Sequence, residues 1–128
     1  MNLLGIDFGT KNIGLAINNG TEIAFPFRTV ENSGEVFNEI KDVCDEEMID
    51  KIVLGKPTKM DRSEGALAGQ VKDFGKALKE ATGKQVVFED EILSSEQAKK
   101  MMEDYGGKYE KDAIEAAVIL QTFLDRNA

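Results

Sequence analysis

Asp7 closes an apolar run from Leu3 to Phe8, Asp90 and Glu91 directly follow a second run, Val86-Val87-Phe88, and Asp112 stands at the head of a helical pattern. These acids carry most of the chemistry available to a chain with no histidine, which rules out imidazole triads, His-containing zinc sites and a His general base. Carboxylates, lysines, hydroxyls and bound metal remain. Hard divalent cations prefer oxygen ligands and are held jointly by a few carboxylates and a substrate phosphate. A pair of such ions about 4 Å apart can activate water and stabilise a leaving oxygen without any imidazole. Taken singly, each acid also has an ordinary reading: Asp7 as a turn-initiating residue, Asp112 as a charge favoured by the helix dipole. Adjacent strand residues face opposite ways, so only one of Asp90 and Glu91 can face a site shared with Asp7.

The stretch after Asp7 reads Phe8-Gly9-Thr10-Lys11-Asn12-Ile13-Gly14. Its glycines permit a tight turn and close backbone approach by a phosphate, which makes Gly9, Thr10 and Lys11 candidate nucleic-acid contacts. Lys56, Lys59 and Arg62 follow the fourth expected strand and are candidates for further phosphate contacts, or an ordinary solvated loop. A net charge of −8 and a pI near 4.6 exclude a large nonspecific nucleic-acid surface, because such binding is driven by Lys and Arg releasing counterions. Contact with a polyanion must be local. Phe8 reads as core before it reads as a stacking platform, Met101, Met102 and Tyr105 as helix packing, and Cys44 as an inert thiol on an apolar helix face.

The elements that position these residues follow from periodicity. Leu3–Phe8 and Ile13–Ile17 read as strands joined by a tight loop, and Asn18-Asn19-Gly20 contains the Asn-Gly pair of a type I′ hairpin turn. A third strand is expected over Glu22–Phe27. Val36, Phe37, Ile40, Val43 and Cys44 recur at helical spacing, with Asn32 and Glu35 as a capping box variant. Ile52–Leu54 is a short buried strand, then a helix presents Leu67, Val71, Phe74 and Leu78 and closes at Gly83. Val86–Phe88 is the fifth strand. Ser94 with Gln97 caps a helix through Ala98 and Tyr105, Gly106-Gly107 breaks it, and a last helix starts near Asp112. The order βββ, α, β, α, β, α, α predicts a five-stranded mixed α/β sheet, an antiparallel meander followed by parallel strands, with helices on both faces. Asp7 and the Asp90-Glu91 pair then share the rim where open sheets bind ligands.

At 128 residues, 41% apolar and 31% charged, the chain is expected to form a single domain over 1–128. The first residues show no signal-peptide pattern, no run approaches the ~20 apolar residues of a membrane span, and Cys44 alone cannot form an intrachain disulfide. A cytoplasmic protein with no membrane partner is the expectation.

Four motifs in succession carry a resemblance over nearly the whole length. Gly5-Ile6-Asp7-Phe8-Gly9-Thr10-Lys11-Asn12-Ile13-Gly14-Leu15-Ala16, then Val53-Leu54-Gly55-Lys56-Pro57 with Met60-Asp61 and Glu64-Gly65, then Asp90-Glu91, then Lys111-Asp112-Ala113 with Ala116 to Gln121 and Leu124-Asp125, are similar to the motifs of the YqgF/RuvX family. The resemblance implies a ribonuclease H-like fold and a two-metal-ion nuclease using Mg²⁺, with Mn²⁺ as a substitute. It implies Asp7, Glu91 and Asp112 as catalytic acids, with Asp90 beside them as a possible metal ligand. The implied substrate is RNA, the 5′ end of the 16S rRNA precursor, presented by ribosomal particles. Branched DNA of the Holliday junction type is the rival, and the implied assembly is a monomer or weak homodimer. Two departures stand out: Asn12 and Ile92 occupy positions where the family usually has Arg, which removes positive charge near the scissile phosphate. Those losses keep a catalytically silent nucleic-acid-binding or ribosome-assembly module in view. The Asp-x-Gly-Thr turn also resembles the first phosphate loop of actin-like ATPases, which need two such domains.

Overall fold

The computed structural model describes residues 1–56, 62–90 and 95–127, without the side chains at 62–66, 95, 97 and 98. Its elements are β1 (Leu3–Asp7), β2 (Asn12–Ile17), β3 (Phe25–Glu31), α1 (Val36–Glu46), β4 (Lys51–Lys56), α2 (Arg62–Thr82), β5 (Gln85–Asp90), α3 (Ser95–Tyr105) and α4 (Lys111–Arg126). Asn19 and Gly20 both adopt positive φ, 53° and 76°, and the Thr21 N–H donates to the Asn18 carbonyl at 2.9 Å. That is the backbone a type I′ turn demands. The strands lie in the order β3-β2-β1-β4-β5, antiparallel across β3-β2-β1 and parallel across β1-β4-β5. The predicted mixed sheet is present.

The third strand starts at Phe25, three residues later than the spacing predicts. The cause is a set of side chains that satisfy the preceding backbone. Buried Asn18 accepts from the Leu3 N–H at 2.8 Å and donates to the carbonyls of Met1 and Thr21 at 3.0 and 2.8 Å. Gln121 of α4 accepts from the Ala24 N–H at 2.8 Å and donates to the Glu22 carbonyl at 3.0 Å. With those groups already paired, residues 22–24 do not need the sheet ladder.

The expected capping box at α1 is also replaced. Glu35 is the N-cap and makes no side-chain cap bond. Asn32 is used elsewhere: its amide donates to the Gly9 carbonyl at 2.9 Å, and its backbone N–H to the Lys11 carbonyl at 2.8 Å. The end of β3 therefore staples the turn that follows β1. Gly83 closes α2 at φ 73°, its N–H donating to the Lys79 carbonyl at 2.9 Å, the helix stop its sequence position predicts. Ser94 lies outside the described residues.

Helices cover both faces. Against α1 and α2 the sheet presents Leu4, Ile6, Ile13, Leu15, Ile52 and Leu54, meeting Val36, Ile40, Val43, Val71, Phe74 and Leu78. Phe8 belongs to this side, its ring centroid 4.9 Å from that of Phe74. Cys44 is buried here, and burial pushes its thiol up to about 11. Against α4 the sheet presents Leu3, Ala16 and Val53, joined by Ala24 from the segment before β3, meeting Ala116, Ala117, Ile119 and Leu120. Met101 packs on this second cluster, whereas Met102 is exposed, which corrects its reading as helix packing. Charge is unevenly spread: residues 31–50 hold eight of the 24 acids and one of the 16 basic residues. Among the described residues no helix is long and apolar enough to cross a membrane.

Candidate metal centre at the sheet rim

β1 carries Gly5 and Asp7 on the face toward α4. A Cβ at Gly5 would stand 2.7 Å from the Leu120 Cβ, so the helix backbone lies directly on the strand. Across the ladder Asp7 pairs with Gly14. A Cβ at Gly14 would come within 1.9 Å of the Asp112 carbonyl oxygen and 2.8 Å of the Ala113 nitrogen. Only a residue without a side chain leaves room for the first turn of α4 at that place. The turn is closed by its own backbone, the Ala113 and Ile114 N–H groups donating to the Glu110 carbonyl at 3.1 and 3.2 Å.

This approach brings three carboxylates together. One oxygen each from Asp7, Asp112 and Glu115 lies within 4.8 Å of those of the other two, and all three residues are half-buried. Two like charges at that spacing repel by roughly 3 kcal/mol at an effective dielectric of about 20. The helix N-terminus offsets part of this for Asp112, the acid in the first turn of α4. A hard divalent cation offsets more, and an all-oxygen donor set fixed by a strand end and a helix start suits one. Lys111 lies 3.8 Å from Glu115, but with its side chain 74% exposed this pair contributes little.

The other candidates fall into separate groups. Gly9, Thr10 and Lys11 form the turn beyond Asp7, with Thr10 and Lys11 exposed and Gly9 half-buried. A Cβ at Gly9 would meet the Asn12 carbonyl oxygen at 2.3 Å, so the turn is as tight as its glycine suggests. Lys56 ends β4 beside this turn, paired in register with Asp90. Asp90 is exposed and shares its strand face with Phe88, whose ring lies against α2 and Leu54. The structure does not bring Asp90 into the three-carboxylate cluster, which forms on the α4 face. Glu91 and Lys59, like Ile92, lie outside the described residues, and of Arg62 only its place at the start of α2 is described. Glu89, one residue before Asp90, is buried and paired with Arg126 at the end of α4.

Glu115 is the site residue that sequence reasoning missed. Its signal was present: three residues after Asp112 on a helix, it must share Asp112's face. Read singly, Asp112 at the head of the helix drew attention to itself and not to the residue one turn on.

Comparison with known proteins places this geometry in a family. The profile described as "RuvX: Holliday junction resolvase" matches residues 1–126. A protein of Agathobacter rectalis named "Putative pre-16S rRNA nuclease" is 33% identical, the match spanning 98% of this chain and 95% of that one. One of the same name from Endomicrobium trichonymphae is 36% identical, over 96% of this chain and 94% of its own. Among solved structures, T. thermophilus RuvC in complex with a Holliday junction substrate aligns over 99% of this chain and 95% of its own, with a TM-score of 0.69 at 15% identity. Fowlpox virus resolvase in complex with Holliday junction DNA aligns over 99% of both chains at a TM-score of 0.59 and 12% identity. These likenesses establish the ribonuclease H-like fold. The profile match and the full-length relatives establish more: this chain belongs to the RuvX family.

Proposed function

We propose that residues 1–128 act as a single cytoplasmic nuclease domain that hydrolyses RNA phosphodiesters with Mg²⁺, or Mn²⁺ in its place, and matures the 5′ end of the 16S rRNA precursor. The observation that carries this reading is the meeting of Asp7, Asp112 and Glu115 at the rim, in a chain whose full-length relatives bear the name of a pre-16S rRNA nuclease.

Asp7 and Asp112 would hold the metal, with Glu115 supporting it from the next turn of α4, and Glu91, the residue after Asp90 in the sequence, would complete the acidic set. When bound, a divalent cation supplies positive charge against the negative charge that builds on the phosphoryl oxygens as the ester bond breaks. The protein's own groups do the rest. With no histidine in the chain, the carboxylates are the side chains beside the scissile bond that can accept a proton at neutral pH. Gly9, Thr10 and Lys11 receive the phosphate backbone, and Lys56, Lys59 and Arg62 extend that contact. Asn32 keeps the turn in place through the Gly9 and Lys11 carbonyls. With an acidic lobe elsewhere, ribosomal particles present the substrate to this local patch.

Incubation of the purified protein with a 16S precursor bearing its 5′ extension tests the reading. Cleavage that needs Mg²⁺ or Mn²⁺ and disappears in Asp7→Asn is expected; cleavage that persists in that variant overturns it. The family description favours a second reading, resolution of four-way DNA junctions. Two coordinated cuts require two sites, so that reading predicts a dimer on the junction and paired symmetric nicks.

A further inference from the structure

β5 is an edge strand, and on it Phe88 lies on the α2 face while Glu89, buried and paired with Arg126, lies on the α4 face. Phe88 as a residue is 44% exposed, and its ring rests on the backbone of α2: a Cβ at Gly75 would meet the ring at 2.9 Å. Lys72, Lys76 and Lys79 are all exposed on that helix. At about 100° per residue, Lys72 and Lys79 fall within about 60° of Gly75, one turn to either side of it. Lys76 follows Gly75 directly. Asp73 and Glu80 lie about 140–160° round from Gly75, farther from the ring than any of the three lysines. None of these lysines makes an ion pair among the described residues.

We propose that the α2–β5 edge is a track for an unpaired nucleic-acid strand, with Phe88 stacking on a base and Lys72, Lys76 and Lys79 contacting successive phosphates. The proposal rests on the nuclease reading above and extends it from the cut site to the strand leading away from it. The exposed part of an aromatic ring can stack on any unpaired base, whereas a base inside a duplex is already stacked. Unpartnered lysines add counterion release at no cost in broken ion pairs. The rim end of the track is Asp90, in register with Lys56 of the candidate phosphate patch. The strand would leave the carboxylates on the α4 face, round the rim at Asp90 and run along the β5 edge on the α2 face, at the opposite edge of the sheet from β3.

The probe is a labelled oligouridylate, single-stranded or annealed to oligoadenylate, with binding measured in Ca²⁺ over a range of salt. Exchanging all three lysines for alanine is expected to weaken single-strand binding roughly tenfold or more and to flatten the salt slope by about 2. Phe88→Ala should weaken it by about fivefold to a hundredfold and leave duplex binding unchanged. Lys41→Ala, which removes one charge from α1, serves as the control and should change neither. Variants that bind within twofold of the wild type overturn the track, as does Phe88→Ala weakening single strand and duplex alike. Track-dependent binding by a protein that cleaves no RNA with Mg²⁺ or Mn²⁺ overturns the nuclease reading alone. A wild type that binds neither probe overturns the track alone, the nuclease reading being decided by the cleavage assay above.

Discussion

Facing α1 and α2, the sheet offers Leu, Ile and Val to Phe and Leu, and the helices stand off at the distance those side chains set. Facing α4 it offers Gly5, Gly14 and Ala16 beside Leu3 and Val53, and the helix answers with Ala113, Ala116 and Ala117 before Ile119 and Leu120. The first face buries volume. The second brings backbone against backbone, and it is there that carboxylates from a strand and a helix come within reach of one another. Stability and precision are thus drawn from different sides of one sheet: large side chains hold the fold, and the absence of side chains places the site.

The two faces should respond to substitution in different ways. Asp7→Asn has the largest expected effect: loss of the ligand at the strand end should lower cleavage on the order of a thousandfold, while thermal unfolding stays near the wild-type midpoint. Leu78→Ala, on the large-residue face, should cost about 2–5 kcal/mol of stability, with Mn²⁺ affinity of the folded protein unchanged. A changed affinity would erase the contrast between the faces.

Gly14→Ala sharpens the contrast. Its methyl needs the first turn of α4 to retreat from β2, at a cost of about 1–3 kcal/mol, and Mn²⁺ binding should weaken at least about tenfold. Gly5→Ala meets α4 at Leu120, two turns farther on; it should destabilise by a similar amount with a smaller loss of metal affinity. Equal losses for the two glycine variants would show that the helix moves as a rigid rod and that Gly14 has no special place.

The smallest effect belongs to Cys44. Its folded thiol titrates near 11 because it is buried, so between about pH 9 and pH 11 the unfolded chain binds fewer protons than the folded one. Stability is therefore unaffected below pH 8 and falls by on the order of 2 kcal/mol as pH rises through that window. Denaturant titrations of wild type and Cys44→Ala at pH 8 and pH 10.5 would isolate this contribution.

Periodicity and turn chemistry were enough to read the sheet, its helices and the Asn19-Gly20 reversal, because those depend on local pattern. What escaped was whatever depends on side chains crossing between elements. Asn32 looks like a helix cap from its neighbours alone, yet its amide finds the Gly9 carbonyl. Gln121 delays β3 from 97 residues away. Glu115 was passed over because nothing in the sequence says that the Asp112 face of α4 meets Asp7, which only the docked helix shows. Gly14 was legible as a turn glycine, but its use as a seat for Asp112 becomes visible only once α4 is docked.

The lopsided charge of residues 31–50 has a consequence for motion in solution. With the acids gathered over β3 and α1 and the unpartnered lysines at the β5 edge, the molecule carries a permanent electric moment across the sheet. A polyanion within a Debye length exerts a torque on it and turns the lysine side forward before any contact forms. An overall negative protein can in this way meet RNA in one preferred orientation, and raising the salt should randomise that orientation before it weakens the close contacts.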